Sequence, residues 1–133
     1  MSAIKQIILI DDNEADNFFH EIVIKRAGFE GEIVILESGS DALRYIETAD
    51  FSQPTCIFLD INMPGMSGFD VAEQATPLLK DKPRVLLFML TSSSSPADQK
   101  RAKSIALVRG YITKPLLAET VSEMLEEFKR TGQ

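Results

Sequence analysis

The 133-residue chain carries 14 Lys+Arg against 20 Asp+Glu, a formal net charge of −6, with 44% hydrophobic and 26% charged residues. That length suits one domain, burying roughly two-thirds of its unfolded surface, and leaves no room for two. The acidic balance speaks against sequence-independent nucleic-acid binding, and the single cysteine, Cys56, excludes a disulfide framework or a Cys-based zinc site. No apolar run approaches the roughly 20 residues of a membrane span, and the N-terminus lacks a signal-peptide core, so the expectation is a soluble, cytoplasmic protein.

Short apolar runs alternate with helical patterns along the chain. Ile7–Ile10 is a continuous aliphatic run, as expected of a strand buried on both faces. Ala15, Phe18, Phe19, Ile22 and Val23 recur as one helical stripe, predicted to face the core, and Gly28 is the predicted stop. Ile33–Leu36 reads as the second strand. Ala42, Leu43, Ile46 and Ala49 mark the second helix, with Ser40 as predicted N-cap. Cys56–Leu59 is the third strand, and a helix starting near Ser67 should end or kink at Pro77. Val85–Leu90, the longest apolar run, suits a central strand. Ser95-Pro96 reads as an N-cap and N1 proline, starting a helix with Ala102, Ile105 and Ala106 inward. Gly110–Thr113 is a short fifth strand, and Leu117, Val121, Met124, Leu125 and Phe128 form the stripe of the last helix.

The alternation is (βα)5, which right-handed crossovers turn into a parallel sheet with helices on both faces. In such folds the site lies beyond the carboxyl ends of the strands. Here those ends deliver Asp11-Asp12, Asp60, Thr91 and Lys114-Pro115 to one edge. Three carboxylates so placed repel unless protonated or neutralised by a cation, and one lysine does not balance them. A hard divalent ion does, and oxygen-only ligands suit Mg²⁺, with the backbone carbonyl of Asn62 well placed to complete the set. Asp60 could then attack a phosphoryl donor, with Thr91 and Lys114 holding the phosphate oxygens.

These residues resemble the response-regulator receiver domain of two-component signalling along essentially the whole chain. The resemblance is carried by Asp11-Asp12, by the segment Leu59–Gly68, by Thr91-Ser92 and by Lys114-Pro115, an ordered set of four pieces at four strand ends. It implies a flavodoxin-like fold with strand order 2-1-3-4-5. It further implies that Asp60 accepts a phosphoryl group from a sensor histidine kinase or histidine phosphotransfer protein. Asp11, Asp12, Asp60 and the Asn62 carbonyl would bind Mg²⁺ or Mn²⁺. Thr91, Ser92, Lys114 and Tyr111 would contact the phosphate or switch with it, and the bond before Pro115 is the expected cis peptide. The domain would switch a protein-binding face and slowly dephosphorylate itself, without being a substrate-turnover enzyme.

The expected organisation is one receiver domain over 1–133, with a core of about 5–130 and no output domain. Output would then be a protein contact: the first helix for the kinase, and the face of the fourth helix, fifth strand and fifth helix for a downstream target or a second copy. Neither nucleic acid nor membrane is an expected partner. A flavin or nucleotide binder on the same fold is disfavoured by the acidic first βα loop, which offers no P-loop or G-x-G-x-x-G. A dehalogenase-type phosphatase would need a D-x-D-x-T/V pattern after the first strand, which Asp11–Ala15 does not supply. A receiver that binds partners without phosphorylation is disfavoured by the full acidic, Thr and Lys set. His20, off the apolar stripe, is expected to be solvated or partner-facing; Cys56 is expected in the core; and Ser92–Ser95 is expected to be a loop before a helix.

Overall fold

The computed structural model describes residues 3–131. The chain folds as β1 (Gln6–Ile10), α1 (Glu14–Arg26), β2 (Glu32–Leu36), α2 (Gly39–Thr48), β3 (Thr55–Leu59), α3 (Gly68–Leu79), β4 (Val85–Thr91), α4 (Pro96–Lys103), β5 (Val108–Thr113) and α5 (Ala118–Thr131). All strand pairs are parallel and the order is β2-β1-β3-β4-β5. The parallel sheet is the one expected from the alternating pattern, and its flavodoxin-like strand order is the one the resemblance implies.

The aliphatic runs of β1, β3 and β4 fill the middle of the sheet because a strand covered on both faces needs apolar residues at every position. Their side chains alternate between two cores. Ile8, Ile10, Ile57, Leu59, Leu87 and Met89 pack against Ala42 and Ile46 of α2 and Val71, Ala72 and Ala75 of α3. Ile7, Leu9, Cys56, Phe58, Leu86 and Leu90 pack against Val23 and Ile24 of α1 and Val121 and Phe128 of α5. Cys56 is thus a core residue, and burial pushes its thiol pKa upward, which keeps it neutral. Among the described residues no helix is long and apolar enough to cross a membrane.

Several local expectations need correction. In α1 the stripe of Ala15, Phe18, Phe19 and Ile22 faces solvent, with Phe18 67% exposed and Phe19 47% exposed. The buried face is Asn17, His20, Val23 and Ile24, so His20 is not solvated but 2% exposed. Both stripes have helical spacing, and the inward choice is set by the polar edge beneath the first turns. There Asn17 Nδ2 donates to the carbonyl of Asp11 at 2.9 Å, a bond no aliphatic residue could make. The α2 N-cap is Ser38, whose hydroxyl accepts from Asp41 N, rather than Ser40. Helix α3 continues two residues past Pro77, which sits in the final turn where one missing donor costs little. Helix α4 ends at Lys103, leaving Ala106 exposed while Ala102 and Ile105 are buried. Leu117 lies ahead of α5 and is 51% exposed; its neighbour Leu116 fills the core instead.

Candidate phosphoacceptor and metal site

The sheet register brings the polar strand ends together. Asp60 N donates to the carbonyl of Ile10 at 2.9 Å, extending the β1–β3 ladder by one step, and Lys114 N donates to the carbonyl of Thr91 at 2.8 Å, doing the same for β4–β5. Asp11 N donates to the carbonyl of Leu36. The backbone therefore fixes Asp11, Asp60, Thr91 and Lys114 along one edge before any side-chain interaction is made. The Lys114–Pro115 peptide is cis, as the resemblance implied.

Asp11, Asp12 and Asp60 each offer a carboxylate oxygen, and these oxygens lie within 4.8 Å of one another. Asp11 and Asp60 are buried while Asp12 is exposed, so the cluster opens to solvent on one side. Burial raises the Asp60 pKa above the ordinary carboxylate value, and the charge of Asp11 adds to this; Lys114, Thr91 and the Ile61 backbone pull the other way. Such a set of hard oxygen donors, short of positive charge, fits a divalent cation of the Mg²⁺, Mn²⁺ or Ca²⁺ type and offers nothing to a soft metal. Asn62, exposed, lies two residues beyond Asp60 in a turn closed by Met63 N donating to the carbonyl of Ile61. Gly68 opens α3 against this turn: a Cβ there would stand 2.1 Å from the Asp60 carbonyl oxygen, so only glycine lets the helix start so close to Asp60.

Lys114 does not bond primarily to Asp60. Its Nζ donates to Asp11 Oδ2 at 2.6 Å and to Asp16 Oδ2 at 2.8 Å, and stands 3.8 Å from Asp60 Oδ1. Burial works to lower its pKa, but the bonds to Asp11 and Asp16 and the charges of Asp60 and Asp11 outweigh this and raise it, so it is a firm ammonium. Asp16 was not among the sequence candidates. Its position three residues after an N-cap reads as ordinary helix chemistry, and nothing in one sequence links it to a lysine 98 positions away.

Beside this cluster, Thr91 is fully buried and its Oγ1 accepts from Ser93 N at 3.3 Å. Ser93 organises the loop: its carbonyl accepts from the Tyr111 hydroxyl at 2.7 Å and its Oγ donates to Asp98 Oδ2 at 2.6 Å. Ser95 caps α4 by accepting from Asp98 N, and Ser92 is exposed next to Thr91. The serine run is thus a loop and helix start, with Ser93 as the hub that sequence reasoning left undistinguished. His20 lies on the inner face of α1, and burial, then the Lys114 ammonium, lower its pKa, so its imidazole is neutral near pH 7.

The family model for the response regulator receiver domain matches residues 7–126. The probable methanogenesis regulatory protein FilR2 of Methanothrix harundinacea is 33% identical over 92% of this chain and 80% of its own length. The match spans only 7% and 50% of two other curated relatives, so receivers like this one also occur inside longer proteins. Among solved structures, a two component response regulator from Cytophaga hutchinsonii is 29% identical with a TM-score of 0.76, over 96% of this chain and 98% of that one. The Mn²⁺-bound form of response regulator Rcp1, a Synechocystis protein, is 25% identical with a TM-score of 0.70, over 94% of this chain and 91% of that one. Fold, edge chemistry and relatives converge: the chain belongs to the response regulator receiver domain family.

Proposed function

We propose that Asp60 is the phosphoacceptor of this receiver domain, and that Asp11, Asp12, Asp60 and the carbonyl of Asn62 hold Mg²⁺ or Mn²⁺ during the transfer. The observation that carries the reading is the cluster of three carboxylates within 4.8 Å, with the Lys114 ammonium 3.8 Å from Asp60. A divalent ion held by these residues would supply charge neutralisation and polarise the incoming phosphoryl group. Asp60 Oδ forms the O–P bond as the N–P bond of a phosphohistidine breaks, and the imidazole leaves with the electron pair. Lys114 and the Thr91 hydroxyl then donate to the phosphoryl oxygens, with exposed Ser92 at the rim. The product is a mixed anhydride, so slow hydrolysis by the domain itself belongs to the reading.

Tyr111 and Ser93 form the switch. A phosphoryl group adds roughly −1.5 to −2 charge and strong acceptors, which draws Thr91 and, through Ser93 N, the loop that Tyr111 grips. The phosphodonor is a histidine kinase or histidine phosphotransfer protein, docking on the solvent-facing stripe Ala15, Phe18, Phe19 and Ile22 of α1, whose first turn stands beside the acidic cluster. Output is a cytoplasmic protein contact through the α4-β5-α5 face, to a target or a second copy. Support for action as a separate receiver over 1–133 comes from FilR2 and Rcp1, of whose lengths the chain spans 80% and 84%.

Incubation with Mg²⁺ and a small acyl phosphate, read by intact mass, tests the reading. Wild type should gain one phosphoryl group and Asp60→Ala none. Equal modification of the variant would show that Asp60 is not the acceptor.

A further inference from the structure

Asp16 occupies the third position of α1, where an acidic side chain ordinarily turns back to close a capping box. In α3 that happens: Ser67 N donates to Asp70 Oδ2 while Asp70 N donates to Ser67 Oγ. In α1 only the first half forms, with Asp16 N donating to Asn13 Oδ1 at 3.0 Å. The N–H of the N-cap Asn13 donates instead to Asp11 Oδ1, also at 3.0 Å. The Asp16 carboxylate is therefore not used by its own helix, and it accepts from Lys114 Nζ at 2.8 Å.

Lys114 is thus shared among acids with different obligations. Asp11 has both oxygens engaged, Oδ1 with Asn13 N and Oδ2 with Lys114. A divalent cation held by Asp11, Asp12 and Asp60 would compete with the ammonium for Asp11 and repel it at short range. Asp16 stands outside the clustered carboxylates, so it remains an acceptor for Lys114 when Asp11 is taken.

We propose that Asp16 is a positioning residue for Lys114, holding its ammonium at the rim of the site in competition with the phosphoryl group on Asp60, and so setting how tightly the phosphorylated form is held. The inference rests on the reading of Asp60 as phosphoacceptor. Asp16 lowers affinity for the phosphoryl group by retaining its lysine, and raises affinity for the cation by adding negative charge and drawing the ammonium off Asp11.

Calorimetric titrations of wild type, Asp16→Asn and Asp16→Glu test this, using beryllofluoride as the phosphoryl mimic at saturating Mg²⁺ and, separately, Mg²⁺ alone. Asp16→Asn keeps the side chain's size and the backbone cap. It should bind beryllofluoride about tenfold tighter, the scale of losing one hydrogen bond between charged groups, and Mg²⁺ about two- to threefold more weakly. Asp16→Glu, which keeps the carboxylate, should stay near wild type. A merely structural defect would weaken both affinities together. In the metal-free protein, the ¹⁵N signal of the Lys114 ammonium should be protected in wild type and Asp16→Glu and exchange faster in Asp16→Asn, where the bond to Asp11 remains without the one to Asp16. Beryllofluoride affinity in Asp16→Asn equal to or below that of a binding-competent wild type overturns the proposal alone. Failure of wild type itself to bind beryllofluoride overturns the reading of Asp60, and this proposal with it.

Discussion

The Tyr111 hydroxyl donates to the carbonyl of Ser93 at 2.7 Å, joining the fifth strand to the loop that follows Thr91. Because Ser93 also bonds to Thr91 Oγ1 and Asp98 Oδ2, this one contact ties β4, β5 and the first turn of α4 together. Tyr111→Phe removes the donor and leaves the ring packed against the α2/α3-side core, to which its register partner Met89 belongs. It should cost about 0.5–1.5 kcal/mol of stability. Amide hydrogen exchange should speed up over Ser92–Ser95 and stay unchanged in β1 and β3; uniform acceleration would mean the bond does not act locally.

Burial, and then the neighbouring charge of Asp11, raise the Asp60 pKa, so keeping its carboxylate ionised costs free energy in the metal-free fold. Asp60→Asn should therefore raise the melting temperature of metal-free protein at neutral pH by a few degrees, what about 1 kcal/mol brings in a chain of this size. Added Mg²⁺ should reverse the order. At a hundredfold excess over its Kd it should stabilise wild type by about 2.7 kcal/mol, with Asp12→Asn gaining far less. Equal stabilisation of both by Mg²⁺ would remove Asp12 from the metal site.

His20 gives the fold a pH dependence. Burial and the Lys114 ammonium hold its pKa below the ordinary value of 6.5, against the smaller opposing charges of Asp16 and Asp11. The folded state thus binds this proton less readily than the unfolded state. The associated stability is fully present above pH 6.5 and is lost as pH falls from there through the folded pKa, at no more than about 1.4 kcal/mol per pH unit. His20→Gln should flatten the fall in melting temperature between about pH 7 and 5. An unchanged slope would assign the pH dependence to the carboxylates.

The solvent-facing stripe of α1 predicts a separation of effects. Phe18 is 67% exposed, so Phe18→Ser should change stability by no more than about 0.5 kcal/mol. Phosphotransfer from a phosphohistidine protein should fall about tenfold or more, as for the loss of a central aromatic contact, while modification by a small acyl phosphate stays at the wild-type rate. Loss of both in parallel would place the effect at the acidic cluster rather than at docking.

The strands and the residues at their ends were legible because a buried parallel strand must be apolar throughout, so the first polar residue after each run marks the edge of the sheet. Asp11, Asp60 and Thr91 stand at such positions, whereas Lys114 follows Thr113 at the end of the half-buried edge strand β5; the backbone bonds from Asp60 and Lys114 show why these strand ends converge. The orientation of α1 was not legible. Its more apolar stripe, Phe18, Phe19 and Ile22, faces outward, while Asn17 and His20 face inward, because the helix packs its first turns over a polar edge. Periodicity reports that a helix has two faces; which one is buried depends on what lies beneath. Asp16 was hidden for a related reason, since its side chain leaves the helix to reach a lysine on another strand end.

The most direct measurement is to treat the protein with Mg²⁺ and a small acyl phosphate, reduce the product with borohydride, and map the modified residue by peptide mass spectrometry. Reduction of an aspartyl phosphate converts that aspartate to homoserine. The conversion should appear at Asp60 and at no other aspartate. Conversion at Asp11, Asp12 or Asp16, or a phosphoryl group found on His20, would contradict the assignment.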